Sequence, residues 1–263
     1  MKYCRFQAEN GAKYGEVQER GGELWVVGLL SSPRALASEL PDGFKVCRLS
    51  EVEVLVPVSP SKIVCVGRNY RDHAAELGNA VPSEPLLFFK PPSSLLPAGG
   101  VIRLPRAAER VDFEGELAVV IGRQARKLKA TDDLSSYIRG YTLANDVTAR
   151  DLQKKDGQWT RAKGFDTFCP VGPLVDTDLR LGAELTIETR VNGVLRQRGS
   201  TADFIFALPA LLEYMTAAMT LEAGDLLLTG TPAGVGPLTA GDRVEVSMAG
   251  METLANTVDR DQD

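Results

Sequence analysis

Residues 116–122, ELAVVIG, run apolar without a break after their leading glutamate. A strand with one wet face alternates, so an unbroken run of this length belongs to a strand covered on both faces. A chain that contains one must build layers above and below it. Other segments set the kind of layer. SKIVCVG (61–67) and YTLANDVT (141–148) read as further core strands, and LLFFKPP (86–92) as a strand that proline ends. TIETRVNGVLRQRG (186–199) reads as a hairpin turning at Asn192-Gly193 in type I′ geometry. One strong helix is predicted over Ile205–Met219, with Ile205, Leu208, Leu211, Leu212 and Met215 on one face. A shorter one is predicted to start at the capping residues Thr131 and Asp132, and DLLLTG and DRVEVSM supply two closing strands. Regular strand–helix alternation is missing, so the order implies a mixed, mainly β architecture with short helices.

Residues 1–56 read as a small β-rich region, with WVVGLL (25–30) after a Gly-Gly turn and alternation in EVEVLVPV (51–58). A segment this short has little core of its own and is expected to dock on a catalytic unit of residues 57–263. The formal charge is −5 and there is no Lys/Arg block, which argues against nucleic acid or an anionic membrane as the main partner. The opening residues hold no apolar signal core and no 18-residue apolar run occurs, so a cytoplasmic protein acting on small molecules is expected. Cys4, Cys47, Cys65 and Cys169 are scattered and read as reduced, mostly buried thiols. His73 is the only histidine, so any metal site must use oxygen ligands, which suits Mg²⁺, Mn²⁺ or Ca²⁺ rather than zinc.

In VDFEGELAVVIG, Glu114 and Glu116 stand two apart at the mouth of the buried strand and so share a face. Like charges buried together are costly unless a proton or a cation joins them. Asp146, in ANDVTARD, interrupts another core strand, and if the two strands are neighbours a third carboxylate joins the pair. Spacing alone favours a plainer reading, a solvated strand edge with Asp146 capping a turn. Taken singly, Lys163 reads as a surface lysine and LLLTGTPAGVG (226–236) equally as an anion-holding loop or a structural turn. His73 and Glu76, three apart on a short helix, can pair, although a lone surface histidine is the commoner outcome.

Taken in order, GRNYRDHAAE, EPLLFFKP, FEGELAVVIG, GYTLANDVTARDLQ, WTRAKGFDTFCPVGP, VNGVLRQ and LLTGTPAGVGPL resemble the fumarylacetoacetate hydrolase family, from about Ser61 to Gly250. Its acylpyruvate hydrolase and oxaloacetate decarboxylase members are the nearest in pattern. The resemblance implies a β-sandwich roll, a homodimer, and Mg²⁺ or Mn²⁺ on Glu114, Glu116 and Asp146. It also implies Gln153, Lys163 and Thr231 as substrate contacts, and a His73–Glu76 dyad on a helix at 70–77 that closes as a lid.

The chemistry this implies is cleavage of a C–C bond in a small 2-oxo acid through a metal-bound enolate, by oxaloacetate decarboxylation, acylpyruvate hydrolysis or both. His73, oriented by Glu76, is then the base that activates water, and Lys163 stabilises charge on the keto oxygen. An alternative within the family is isomerisation or decarboxylation of an unsaturated 2-oxo dioate of the 2-hydroxyhepta-2,4-diene-1,7-dioate type. A metal-dependent small-ligand binding protein without turnover is the alternative of another class, and it would call for a broken constellation. Loops 79–85 and 93–112 are expected to contact the distal part of the substrate.

Overall fold

In a computed structural model, residues 1–76, 81–179 and 184–261 are described. Among them the chain is mainly β, as the sequence implies, with a twelve-stranded sheet, a five-stranded sheet and a three-stranded sheet. The strand Gly115–Ile121 lies inside the large sheet and is buried at every position. Its side chains alternate between two cores. Leu117, Val119 and Ile121 join one cluster, with Val64, Val66 and Leu143, while Ala118 and Val120 join another, with Ile63, Cys65, Ala144 and Val171. That is why the run has no polar alternation.

On one side Gly115–Ile121 pairs antiparallel with Ile138–Asn145, and on the other with Leu226–Leu228. Leu226–Leu228 runs parallel to Ile63–Gly67, and Leu86–Lys90 forms the edge. Beyond Ile138–Asn145 comes Cys169–Asp176, to which the N-terminal strand Lys2–Ala8 adds through Lys2↔Asp176 and Tyr3↔Val175. Gly11–Arg20 and Glu23–Leu30 extend the same sheet. The hairpin of Thr186–Val191 and Val194–Ser200 turns at Asn192 (φ 52°) and Gly193 (φ 77°), as a type I′ turn requires. It joins Arg243–Met248 and Leu254–Arg260 in the second sheet, and Leu254–Arg260 is a strand the sequence reading did not contain.

Four helices are described: α1 (Arg71–Glu76), α2 (Arg150–Asp156), α3 (Thr160–Gly164) and α4 (Leu208–Ala218). The strongest predicted helix starts three residues late. Asn69 holds the preceding segment, since its backbone carbonyl accepts from the Ile205 amide (2.8 Å) and its Oδ1 from the Phe206 amide (2.8 Å). Pro209 then occupies the first turn, where its missing N–H costs nothing. The short helix expected from Thr131 is a 3₁₀ turn over Leu134–Tyr137, capped by Asp133, whose carboxylate accepts from the Ser135 amide. EVEVLVPV contributes only the two-residue strand Val54–Leu55 on Lys2–Ala8. The four thiols are free, and three of them are buried. No helix among the described residues is long and apolar enough to cross a membrane.

The helix α4 buries Leu208, Leu211, Leu212 and Met215 against the first cluster. Leu212→Ala is expected to remove about 2–5 kcal/mol of stability through the cavity it leaves. Urea denaturation followed by far-UV circular dichroism measures this, and an unchanged midpoint would contradict the packing.

Candidate active site and metal centre

The site grows out of the strand register. Gly115 pairs with Asn145 and Glu116 with Ala144, which carries Glu114 opposite Asp146, where the Asp146 amide donates to the Glu114 carbonyl (2.8 Å). The Asn145 side-chain oxygen accepts from the Glu114 amide (2.9 Å) and fixes the break between the strands Val111–Phe113 and Gly115–Ile121. The row that continues through Ala118 and Val120 therefore begins with two acids, and the facing strand adds a third. One oxygen from each of Glu114, Glu116 and Asp146 lies within 4.8 Å of the others, and all three residues are buried. The solvated edge that spacing alone favours is not what forms.

Gly115, between the two glutamates, lets the second sheet approach. A Cβ there would lie 2.0 Å from Thr189 Oγ1. Its amide donates to Gln197 Oε1 (3.0 Å), its carbonyl accepts from Thr231 Oγ1 (2.9 Å), and Gln197 Nε2 donates on to Thr231 Oγ1 (2.7 Å). Gly230 sits at φ +98°, where a Cβ would meet Asn69 Cβ at 2.8 Å, and its amide donates to Glu116 Oε2 (2.7 Å).

Charges that close repel by at least about 3 kcal/mol per pair at an effective dielectric constant near 20. The compensating cations are unevenly shared. Lys163 Nζ contacts Glu114 Oε2 (2.7 Å) and Asp146 Oδ2 (2.6 Å), Lys90 Nζ contacts Asp146 Oδ1 (2.6 Å), and Arg150 Nη2 lies 2.6 Å from Glu114 Oε1. Burial alone would raise the Glu114 carboxyl, but Lys163 and then Arg150 outweigh it and hold that carboxyl well below the usual range. For Glu116 the balance is reversed. Burial, Asp146 and Glu114 push its carboxyl well up, and among the described residues no side-chain cation is in ion-pair contact with it. Burial opposes the charge on Lys163, yet Asp146 and Glu114 raise its pKa and keep the ammonium.

A divalent ion fits this donor set. The three ligands are hard carboxylate oxygens, the Lys163 ammonium already lies against two of them, and the third carboxylate is the one still short of positive charge.

The triad opens on a cavity of about 500 Å³. Each of the site residues expected from the sequence lines it except Glu76: His73, Glu114, Glu116, Asp146, Gln153, Lys163 and Thr231. His73 lies in α1 and is buried, with Nδ1 3.4 Å from Glu76 Oε2. Glu76 accepts from the Gly234 amide with both oxygens (3.1 and 3.2 Å), which ties α1 to the loop after Thr231. Burial lowers the pKa of His73 against the opposing pull of Glu114 and Glu76, so its ring is neutral at neutral pH and can accept a proton. Gln153, on α2, accepts from Arg150 Nη1 (3.1 Å). Residue 77 of the expected 70–77 helix and residues 79 and 80 of the expected 79–85 loop lie outside the described residues.

Sequence reading passed over Lys90, Arg68, Arg150, Lys154, Phe88 and Trp159. Lys90 carried one local signal, a charged residue at the end of an otherwise apolar strand. Arg68, a half-buried residue at φ 57°, faces the cavity with Arg150 and Lys154. Phe88 and Trp159 pack edge to face at 5.1 Å, and the Lys163 ammonium lies 4.9 Å from the Phe88 ring centre.

Comparison with known proteins now gives the class. The chain belongs to the fumarylacetoacetate hydrolase family, with residues 62–259 matching its description, fumarylacetoacetate (FAA) hydrolase C-terminal. It is 45% identical over 205 residues to a mitochondrial oxaloacetate tautomerase of Arabidopsis thaliana, covering 76% of this chain and 92% of that one. It is 43% identical over 198 residues to a mitochondrial oxaloacetate decarboxylase of Dictyostelium discoideum, covering 73% and 90%. The crystal structure of 2-hydroxyhepta-2,4-diene-1,7-dioate isomerase from Mycobacterium marinum superposes with a TM-score of 0.90 at 40% identity, covering all of both chains.

Glu116→Gln removes the least compensated charge and keeps an acceptor for Gly230. The metal-free variant is expected to melt no lower than the metal-free wild type, while its Mn²⁺ affinity falls at least tenfold. Scanning calorimetry and isothermal titration measure the two, and a destabilised variant with unchanged affinity would contradict the charge balance.

Proposed function

We propose that this chain is a divalent-metal-dependent enzyme that carries small 2-oxo acids, oxaloacetate first among them, through an enolate and breaks a C–C bond beside it. One observation carries the reading: three buried carboxylates, a buried lysine and a neutral buried histidine open on one cavity of about 500 Å³. That volume suits a small acid held by a few polar groups.

Glu114, Glu116 and Asp146 would hold Mg²⁺ or Mn²⁺, which supplies Lewis-acid stabilisation of negative charge on the substrate's 2-keto oxygen. Lys163 adds a second positive charge for that oxygen, and its pKa, raised by its carboxylate partners, keeps it protonated. Arg68, Arg150 and Lys154 offer cations, and Gln153 an amide, for the carboxylates of a dioic acid. Thr231 lines the cavity while its hydroxyl braces the Gly115 carbonyl. Phe88 and Trp159 form an apolar flank.

With an acylpyruvate, His73 takes a proton from the water that attacks the distal carbonyl. The C–C bonding pair passes to the pyruvate unit as its enolate, and the acyl group leaves as an acid. With oxaloacetate, the bonding pair to the departing CO₂ becomes the same enolate, which a proton at C3 converts to pyruvate. A second reading is keto–enol exchange of oxaloacetate, supported by the name of the Arabidopsis relative and by a neutral base in the cavity. It removes the C3 proton and returns one to oxygen without breaking carbon–carbon bonds. Isomerisation of a 2-hydroxy-2,4-diene-1,7-dioate, the compound in the name of the Mycobacterium marinum isomerase, is the alternative within the family, and on this site it would use a dienolate of the same kind.

EDTA-treated protein, assayed on oxaloacetate, acetylpyruvate and a 2-hydroxy-2,4-diene-1,7-dioate, is expected to lose turnover and regain it with Mg²⁺ or Mn²⁺. Enol absorbance reports exchange, and coupled pyruvate detection reports cleavage. Turnover indifferent to EDTA would refute metal dependence, and no turnover of any substrate with metal present would favour a binding protein. His73→Ala is expected to lower acetylpyruvate hydrolysis about 10²–10⁴-fold, with a smaller loss in decarboxylation. Equal losses would give the dyad a role common to both reactions.

A further inference from the structure

Each carboxylate of the triad has one oxygen set against a cation or an N–H group from elsewhere in the fold. Asp146 Oδ1 takes Lys90 Nζ at 2.6 Å, and the same ammonium reaches the Val147 carbonyl at 3.2 Å. Lys90 is 1% exposed and lies outside the cavity lining. Glu114 Oε1 lies 2.6 Å from Arg150 Nη2, and that guanidinium is tied as well to Asp112 Oδ2 (2.9 Å) and Gln153 Oε1 (3.1 Å). Glu116 Oε2 takes the Gly230 amide at 2.7 Å, from a glycine at φ +98° where a Cβ would lie 2.8 Å from Asn69 Cβ. The remaining oxygens of Glu114 and Asp146 meet at one point, since Lys163 Nζ contacts both at 2.7 and 2.6 Å.

We infer that these fixed donors, Lys90 above all, restrict each carboxylate to a single oxygen toward an ion, so that the centre selects a small six-coordinate cation, Mg²⁺ or Mn²⁺, against Ca²⁺. The inference rests on the metal reading of the triad proposed above. Ca²⁺ takes six to eight oxygens, from carboxylates binding with one or both oxygens, carbonyls and water, whereas Mg²⁺ demands a near-ideal octahedron and keeps several waters. Holding each carboxylate to one oxygen therefore costs Ca²⁺ protein ligands that Mg²⁺ does not need. For Asp146 to chelate with both oxygens it would have to leave Lys90, a buried ammonium whose other hydrogen bond among the described residues goes to the Val147 carbonyl. Arg150 and Gly230 impose the same limit on the two glutamates. Lys90 is the clearest position to test, because changing it alters the grip on Asp146 without altering the cavity surface.

Isothermal titration of EDTA-stripped protein with Mg²⁺, Mn²⁺ and Ca²⁺ provides the test, read as binding rather than turnover. Wild-type protein is expected to bind Ca²⁺ at least tenfold more weakly than Mg²⁺. In Lys90→Met, which keeps the length of the side chain and removes its charge, the ratio of Ca²⁺ to Mg²⁺ affinity is expected to rise at least tenfold. Ca²⁺ bound by wild type as tightly as Mg²⁺, or an unchanged ratio in a folded variant, overturns the inference while leaving the metal centre standing. Should the variant fail to fold, the wild-type titrations decide alone. If no ion binds the wild type, the metal reading falls and the inference with it.

Discussion

Three carboxylates packed within 4.8 Å of one another, out of water, form the constraint around which the rest of this molecule is arranged. Their mutual repulsion is large against the net stability of a folded domain, so positive charge must be placed among them by the fold itself. Strand pairing creates the problem, because the register of Gly115–Ile121 on Ile138–Asn145 sets Glu114 opposite Asp146. Distant segments relieve it. Lys90 comes from the edge strand, Lys163 from α3, Arg150 from α2 and the Gly230 amide from the loop after Leu226–Leu228. Each has its place because the sheet and its crossovers bring those segments to one end.

Part of this was legible in the sequence. Glu114 and Glu116 share a face because strand side chains alternate, a rule that needs no tertiary information. The unbroken apolar run after them reported burial on both faces, and Asn192-Gly193 reported its turn. Asp146 was visible as a polar interruption, but its approach to Glu114 depends on register, which a single sequence does not carry. Ordered motifs of a known family filled that gap. Lys90 and Arg150 were passed over for the same reason, since the ion pair of Lys90 with Asp146 spans 56 positions and the lone charge ending LLFFK does not indicate its partner.

The misplaced elements follow from tertiary override of local preference. Asn69 captures the amides of Ile205 and Phe206, so α4 begins only at Leu208 even though the apolar periodicity starts earlier. EVEVLVPV alternates like a strand, yet it finds a partner along only two residues. Local pattern states what a segment would do alone, and these segments are decided by what lies beside them.

The carboxylate of Glu76 makes two attachments at once, to the imidazole of His73 and to the Gly234 amide in the loop that follows Thr231. His73 and Glu76 lie on the same helix, so were α1 to move off the cavity the imidazole and its carboxylate partner would leave together, and only the tie to the Gly234 amide would break. The place of the imidazole over the cavity is thereby tied to the loop after Thr231 through one side chain. Under the proposed function, the base and its partner enter and leave the cavity as one unit, so an enol formed there would meet the imidazole only while the tie to Gly234 holds.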